Sequence, residues 1–116
     1  MKNIFKIALA GAFMLSAPVA QADDDVTLQL KWVTQAQFAG YYVALDKGFY
    51  KDEGLNVTIK PGGPDVAPAQ VIAGGGADVV LDWMPSALAS REKGLDLVNI
   101  AQPFKSSGMW LTCRKD

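Results

Sequence analysis

The chain contains no histidine and a single cysteine, Cys113. A Ser-His-Asp or Cys-His catalytic set is therefore impossible within it. One thiol cannot close an internal disulfide, and a structural zinc site lacks its usual ligands. Neither a metal nor a cofactor is expected. Basic runs and stripes are missing too. Eleven basic residues stand against 12 acidic ones, a formal net charge of −1. That balance has nothing to meet a phosphate backbone and argues against a nucleic-acid partner. The longest apolar run, Ile7 to about Ala20, falls short of the ~20 residues that span a bilayer. Internal repeats and low-complexity linkers are also absent.

What is present begins with Lys2 and Lys6, the apolar run, and Ala20-Gln21-Ala22. A basic start, an apolar stretch and a small-x-small site predict a secretory signal peptide over residues 1–22, cut before Asp23. No cysteine follows the cut, so no bacterial lipid anchor is expected. Without Lys2 and Lys6 the remainder carries nine basic and 12 acidic residues, a net charge of −3. Asp23-Asp24-Asp25 reads as a solvated start. At the other end, Met109 to Cys113 reads as a strand with no closing element after it. Residues 23–116 are thus expected to be part of one domain.

Between these ends the pattern alternates between two periods. Val26, Leu28, Leu30 and Trp32 recur every second residue, which marks a strand. Phe38, Tyr41, Tyr42, Leu45 and Phe49 recur at helical offsets, with Gly48 able to interrupt and Gly54 to end the helix. Leu55 to Ile59 alternates again. The glycines of Pro61-Gly62-Gly63-Pro64 suit a turn with φ > 0. Asp65 is expected to cap a helix through Ile72, with Pro68 in its first turn. Asp78 to Leu81 reads as strand three, Pro85 to Lys93 as a helix stopped by Gly94, and Leu97 to Ala101 as strand four. Strands alternating with helices imply an α/β fold, a mostly parallel sheet with helices on both faces. "GGG" at 74–76 precedes a strand, the wrong context for a dinucleotide fingerprint.

In open α/β sheets ligands lie beyond the carboxyl ends of the strands. Three segments qualify: Lys31 to Gln37, Lys60 to Gly63, and Asp82 to Ser86. Trp32 and Trp83 offer flat faces and one N–H each, suited to a planar heterocycle. Trp32 also continues the apolar face of strand one, so core packing is its alternative. Asp82 is a hydrogen-bond acceptor for a ligand or a cap for the helix at Pro85. Gln35 and Gln37 bring donors and acceptors for a neutral polar ligand, with one of them facing inward and the other water. Backbone N–H groups near Ser86 are further donors. Phe38, Tyr41 and Tyr42 read as core. Lys31 sits on the polar side of its strand, solvated unless the strand end turns it into the crevice.

"LQLKWVTQAQFAGYYVALDKGFYKDEGLNVTI" and "VIAGGGADVVLDWMPSALASREKG" together resemble the N-terminal lobe of the NMT1/THI5-like family, over essentially all of residues 26–113. Lys31-Trp32, Lys47-Gly48-Phe49-Tyr50-Lys51 before Glu53-Gly54-Leu55, and Gly76-Ala77-Asp78-Val79 carry the likeness. The resemblance implies a type II periplasmic binding protein, here a partial N-terminal lobe, with ligand held between two closing lobes. It implies a periplasmic, monomeric receptor that delivers a small molecule to an ABC permease. Members carry thiamine pyrimidine precursors, and relatives carry riboflavin, sulfonates, taurine or nitrate. In the pyrimidine binders the tryptophan ending strand one lines the pocket, a role that transfers to Trp32. No arginine stands in the three segments, which favours a heterocycle over an inorganic anion. Fungal enzymes of the family make the thiamine pyrimidine with a lysine after strand three and a histidine four residues on. Asp82 and Ser86 occupy those positions, so the enzyme reading lacks its chemistry. A regulator of similar architecture would open on a helix-turn-helix, and this chain opens on the signal-like segment.

Overall fold

A computed structural model describes residues 23–106 and 112–115. The expected signal peptide and residues 109–111 of the expected last strand lie outside the described residues. The elements are β1 (Asp24–Gln29), a 3-10 turn (Ala36–Phe38), α1 (Ala39–Asp46), α2 (Phe49–Asp52), β2 (Leu55–Lys60), α3 (Pro68–Ala73), β3 (Val79–Val80) and α4 (Met84–Glu92). The three strands form one parallel sheet in the order β2-β1-β3. The α/β architecture with a parallel sheet follows the alternation in the sequence. Because β2 and β3 flank β1 on opposite sides, right-handed crossovers put α1–α2 on one face and α3 on the other.

Register explains the core. Val26 lies beside Val57, and Leu28 beside both Ile59 and Val79. These residues share one face, since parallel partners point the same way. Leu28, Leu30, Phe38 and Val57 are buried there, and Tyr41, Tyr42 and Tyr50 close over them from α1 and α2. Each such side chain withdrawn from water contributes about 1.5–3 kcal/mol.

Several local expectations are corrected. β1 starts earlier than the alternation suggested, because Asp24 and Asp25 pair with Leu55 and Asn56. Asn56 Nδ2 donates to Asp25 Oδ1 at 2.6 Å, so Asp24 and Asp25 join the ladder while the acidic run stays solvated as expected. The long helix is broken at Gly48, whose φ of 78° is left-handed. The break resets the helical phase, so Phe49 faces solvent while Tyr50 turns inward; Leu45, before the break, is exposed as well. Asp65 does not cap α3, whose N-cap position is Ala67 with no side-chain hydrogen bond.

Strand four is absent from residues 97–101, and Ile100 is 74% exposed. A parallel strand needs an edge to pair with. β3 meets β1 at only two positions and is too short to offer a ladder on its far side. Gly62 and Gly63 do not adopt positive φ. Gly62 is required for a different reason: a Cβ there would collide with the backbone carbonyls of Leu30 and Lys31.

Candidate functional site

The carboxyl ends of the strands are tied together before they diverge. The Leu30 N–H donates to Lys60 O at 2.8 Å, and the Leu81 N–H to Gln29 O at 2.9 Å. Gln29 is buried at this junction. Its Nε2 reaches Leu30 O at 3.0 Å, Pro61 O at 3.1 Å and Lys60 O at 3.3 Å. A buried amide satisfied by three carbonyls locks the exits of β1 and β2 in place. The chain after β2 then crosses close over β1, and the Gly62 N–H donates to Trp32 O at 2.9 Å. Gly62 thus fixes the backbone of Trp32 from below.

β3 is docked at its start by Asp78. The Thr27 N–H donates to the Asp78 carboxylate at 2.8 Å, and the Asp78 N–H to Thr27 O at 3.0 Å. Ala77 is buried beside it, and the Gly76 N–H returns to Val71 O at 2.8 Å. Gly76-Ala77-Asp78 therefore seats the third strand.

Beyond the strand ends an open concavity is bounded by Lys31, Trp32, Gln37, Asp82 and Trp83, and it continues along the apolar sheet flank to residues 97–106. A smaller hollow between α3 and α4, lined by Ala69, Ala73, Ser90 and Leu95, contains none of the expected site residues. Trp32 is 40% exposed and lies outside the buried cluster. Its alternative as core packing fails because β1 ends at Gln29 and the chain bends before it. Trp83 is 64% exposed at the start of α4. Gln37 reaches the concavity. Gln35 precedes the 3-10 turn, exposed, and its carbonyl accepts the Phe38 N–H. Ser86 is half-buried in the first turn of α4, and its carbonyl accepts the Ser90 hydroxyl at 2.9 Å. Neither Gln35 nor Ser86 lines the concavity.

Asp82 does not cap the helix that begins beyond it. Its Oδ1 takes the Lys31 ammonium at 2.8 Å and the Trp83 backbone N–H at 2.8 Å. No side chain caps α4. Lys31, placed on the polar side of its strand by sequence, turns into the crevice. The signal that would have found it is the register, since Gln29 pairs with Val80 and Lys31 and Asp82 each stand two residues further on.

Along the same concavity, burial pushes the Tyr41 hydroxyl above its ordinary range, helped by the nearby Tyr50, and burial raises Tyr50 as well. Tyr41 Oη is shut off from solvent with no hydrogen-bond partner. Among the described residues, no group of three or more His, Cys, Asp or Glu is placed to hold a metal ion. No helix among them is long and apolar enough to cross a membrane.

The family described as NMT1/THI5 like matches residues 35–116. A formylaminopyrimidine-binding protein of Halalkalibacterium halodurans is 31% identical over 109 residues, covering 90% of this chain and 33% of the relative. "Putative binding protein YtlA" of Bacillus subtilis is 29% identical over 116 residues, covering 94% of this chain and 34% of the relative. The chain spans about a third of the length of the curated relatives it matches. No solved structure shows a significant match.

Proposed function

The chain belongs to the NMT1/THI5-like family, and on that premise we propose that it captures a small, flat, uncharged heterocycle, a pyrimidine of the thiamine-precursor kind. The observation that carries the reading is the pair of exposed indoles, Trp32 and Trp83, on one concavity at the strand ends. A relative named for binding a formylaminopyrimidine supports the ligand class. Both relatives are named as binding proteins rather than enzymes, and Asp82 and Ser86 stand where the family's enzymes carry lysine and histidine.

In this reading Trp32 and Trp83 stack on the ring, and Gln37 and free N–H groups in the first turn of α4 near Ser86 pair with its polar edge. Asp82, already held by Lys31, adds an acceptor, and Gln35 stands at the rim. Selectivity comes from hydrogen bonds, because an analogue lacking one partner leaves a buried polar group unpaired. The protein works in the periplasm as a monomer and passes its ligand to an ABC permease. The basic start, apolar run and Ala20-Gln21-Ala22 support that location. The anion alternatives, taurine, sulfonates and nitrate, need a spare cation at the strand ends. Of the two lysines at the strand ends, Lys31 is engaged by Asp82 and Lys60 donates to Gly76 O.

Calorimetric titration of the intact protein with hydroxymethylpyrimidine, formylaminopyrimidine, riboflavin, taurine and nitrate tests the reading. The pyrimidines are expected to bind. Tight taurine or nitrate binding without pyrimidine binding overturns it. Trp32→Ala is expected to weaken pyrimidine binding by about 1–3 kcal/mol, the scale of base–aromatic stacking. Thermal stability should barely move, because the indole is outside the core.

A further inference from the structure

We infer that Lys31 is a positioning residue of this crevice, holding the Trp83 ring in place while neutralising Asp82, so that the exposed indole face is offered to an uncharged ring. The ligand clause rests on the pyrimidine-binding reading; the positioning clause stands on geometry. The β1–β3 register carries Lys31 and Asp82 to the same level beyond the sheet. The Asp82 side chain is 8% exposed and that of Lys31 23%. So deeply placed a carboxylate requires its partner, since an unpaired charge there is strongly unfavourable.

The same oxygen of Asp82 grips Trp83 by its backbone N–H. The Lys31 ammonium lies 5.2 Å from the centroid of the Trp83 ring, within cation–π range. Trp83 is thereby held at two points, its backbone and its ring. An indole this exposed would otherwise exchange freely among rotamers. The ammonium occupies one side of the ring, and the exposed remainder is available for stacking. A charged ligand entering beside Trp83 would have to compete with the existing Lys31–Asp82 pair, whereas a neutral ring does not.

The test compares Lys31→Arg, Lys31→Met and the neutral pair Lys31→Met with Asp82→Asn in the intact protein. Two readouts are used: the Trp83 indole N–H cross peak, assigned with Trp83→Phe, and calorimetric affinity. The probes are hydroxymethylpyrimidine and its aminomethyl analogue, a cation at neutral pH. Lys31→Arg should keep the cross peak and stay within about threefold of the parent affinity. The neutral pair should recover the thermal midpoint that Lys31→Met loses. Its cross peak should nonetheless move and broaden, and its affinity should fall about tenfold. Lys31→Met, with Asp82 uncompensated, should shift preference toward the aminomethyl cation. A neutral pair with the parent's cross peak and affinity overturns the inference and leaves Lys31 a tether between strands. If the neutral pair does not fold, the cross peak of Lys31→Met decides by the same criterion. Should the parent bind no pyrimidine, the functional reading falls, and the cross peak still decides the role of Lys31.

Discussion

β1 is paired with β2 at six positions and with β3 at two. On the β2 side, α1 and α2 close Phe38, Tyr41, Tyr42 and Tyr50 over Leu28, Leu30 and Val57. On the β3 side, the segment after α4 runs without regular structure, and Val98 and Ile100 face solvent. The β2 flank of the sheet is covered by helices, while beyond β3, where Val79 and Leu81 still pack on the core, the chain leaves the wall open. Rigidity and ligand access thus separate within one sheet. The β2 flank anchors the strand ends, and the β3 flank presents Asp82 and Trp83 on a surface that a ligand can reach.

The largest effect should come from breaking the packed flank. Leu30 is fully buried, and Leu30→Ala should destabilise the intact protein by about 2–5 kcal/mol in urea unfolding. A loss under ~1 kcal/mol would mean that this flank is no better packed than the other. Next comes the link between the flanks. Lys31→Met leaves Asp82 unpaired and should reduce stability by about 2 kcal/mol, less than the ~3–5 kcal/mol of a fully buried pair because Lys31 is partly solvated.

Tyr41→Phe sharpens the comparison from within the core. It removes a hydroxyl that is buried without a partner and should raise stability by about 1 kcal/mol at neutral pH. It also changes the pH profile. The folded-state pKa of Tyr41 lies above the ordinary tyrosine value of 10.0. The folded state thus favours the neutral phenol, and that contribution is present below about pH 10 and lost as pH climbs through the raised value. Alkaline melts should therefore fall less steeply for Tyr41→Phe than for the parent, the remaining slope reflecting Tyr50. The smallest effect belongs to the open flank. Ile100→Ala should change stability by no more than about 0.5 kcal/mol, and a larger loss would show that this segment is covered in the intact protein.

Much of the fold was legible because its signals are local. Alternation at Val26, Leu28 and Leu30, helical spacing at Phe38, Tyr41 and Tyr42, and glycine at 48, 54 and 94 all act over a few residues. The apolar run at 97–101 was misleading for the same reason. Its composition suits a strand, but a strand exists only where another offers unpaired N–H and C=O groups. The rule that ligands gather at strand ends brought Trp32, Gln37, Asp82 and Trp83 into consideration, and the structure groups them on one concavity. The functions of Gln29 and Gly62 were hidden. One is a polar strand residue and the other a turn glycine until the loops cross.

Reading along the chain was enough for the first three strands and the helices between and after them, the exclusion of histidine and internal-disulfide chemistry, and the family motifs. Those depend on residue identity and on spacing along the chain. Tertiary structure alone decided that Gly62 passes over the end of β1, that Gln29 is buried among three carbonyls, and that Lys31 meets Asp82 and the Trp83 ring. Each of these joins residues far apart in sequence. Their meeting is set by strand register and by which edge finds a partner, and neither quantity is written in any single stretch of the chain.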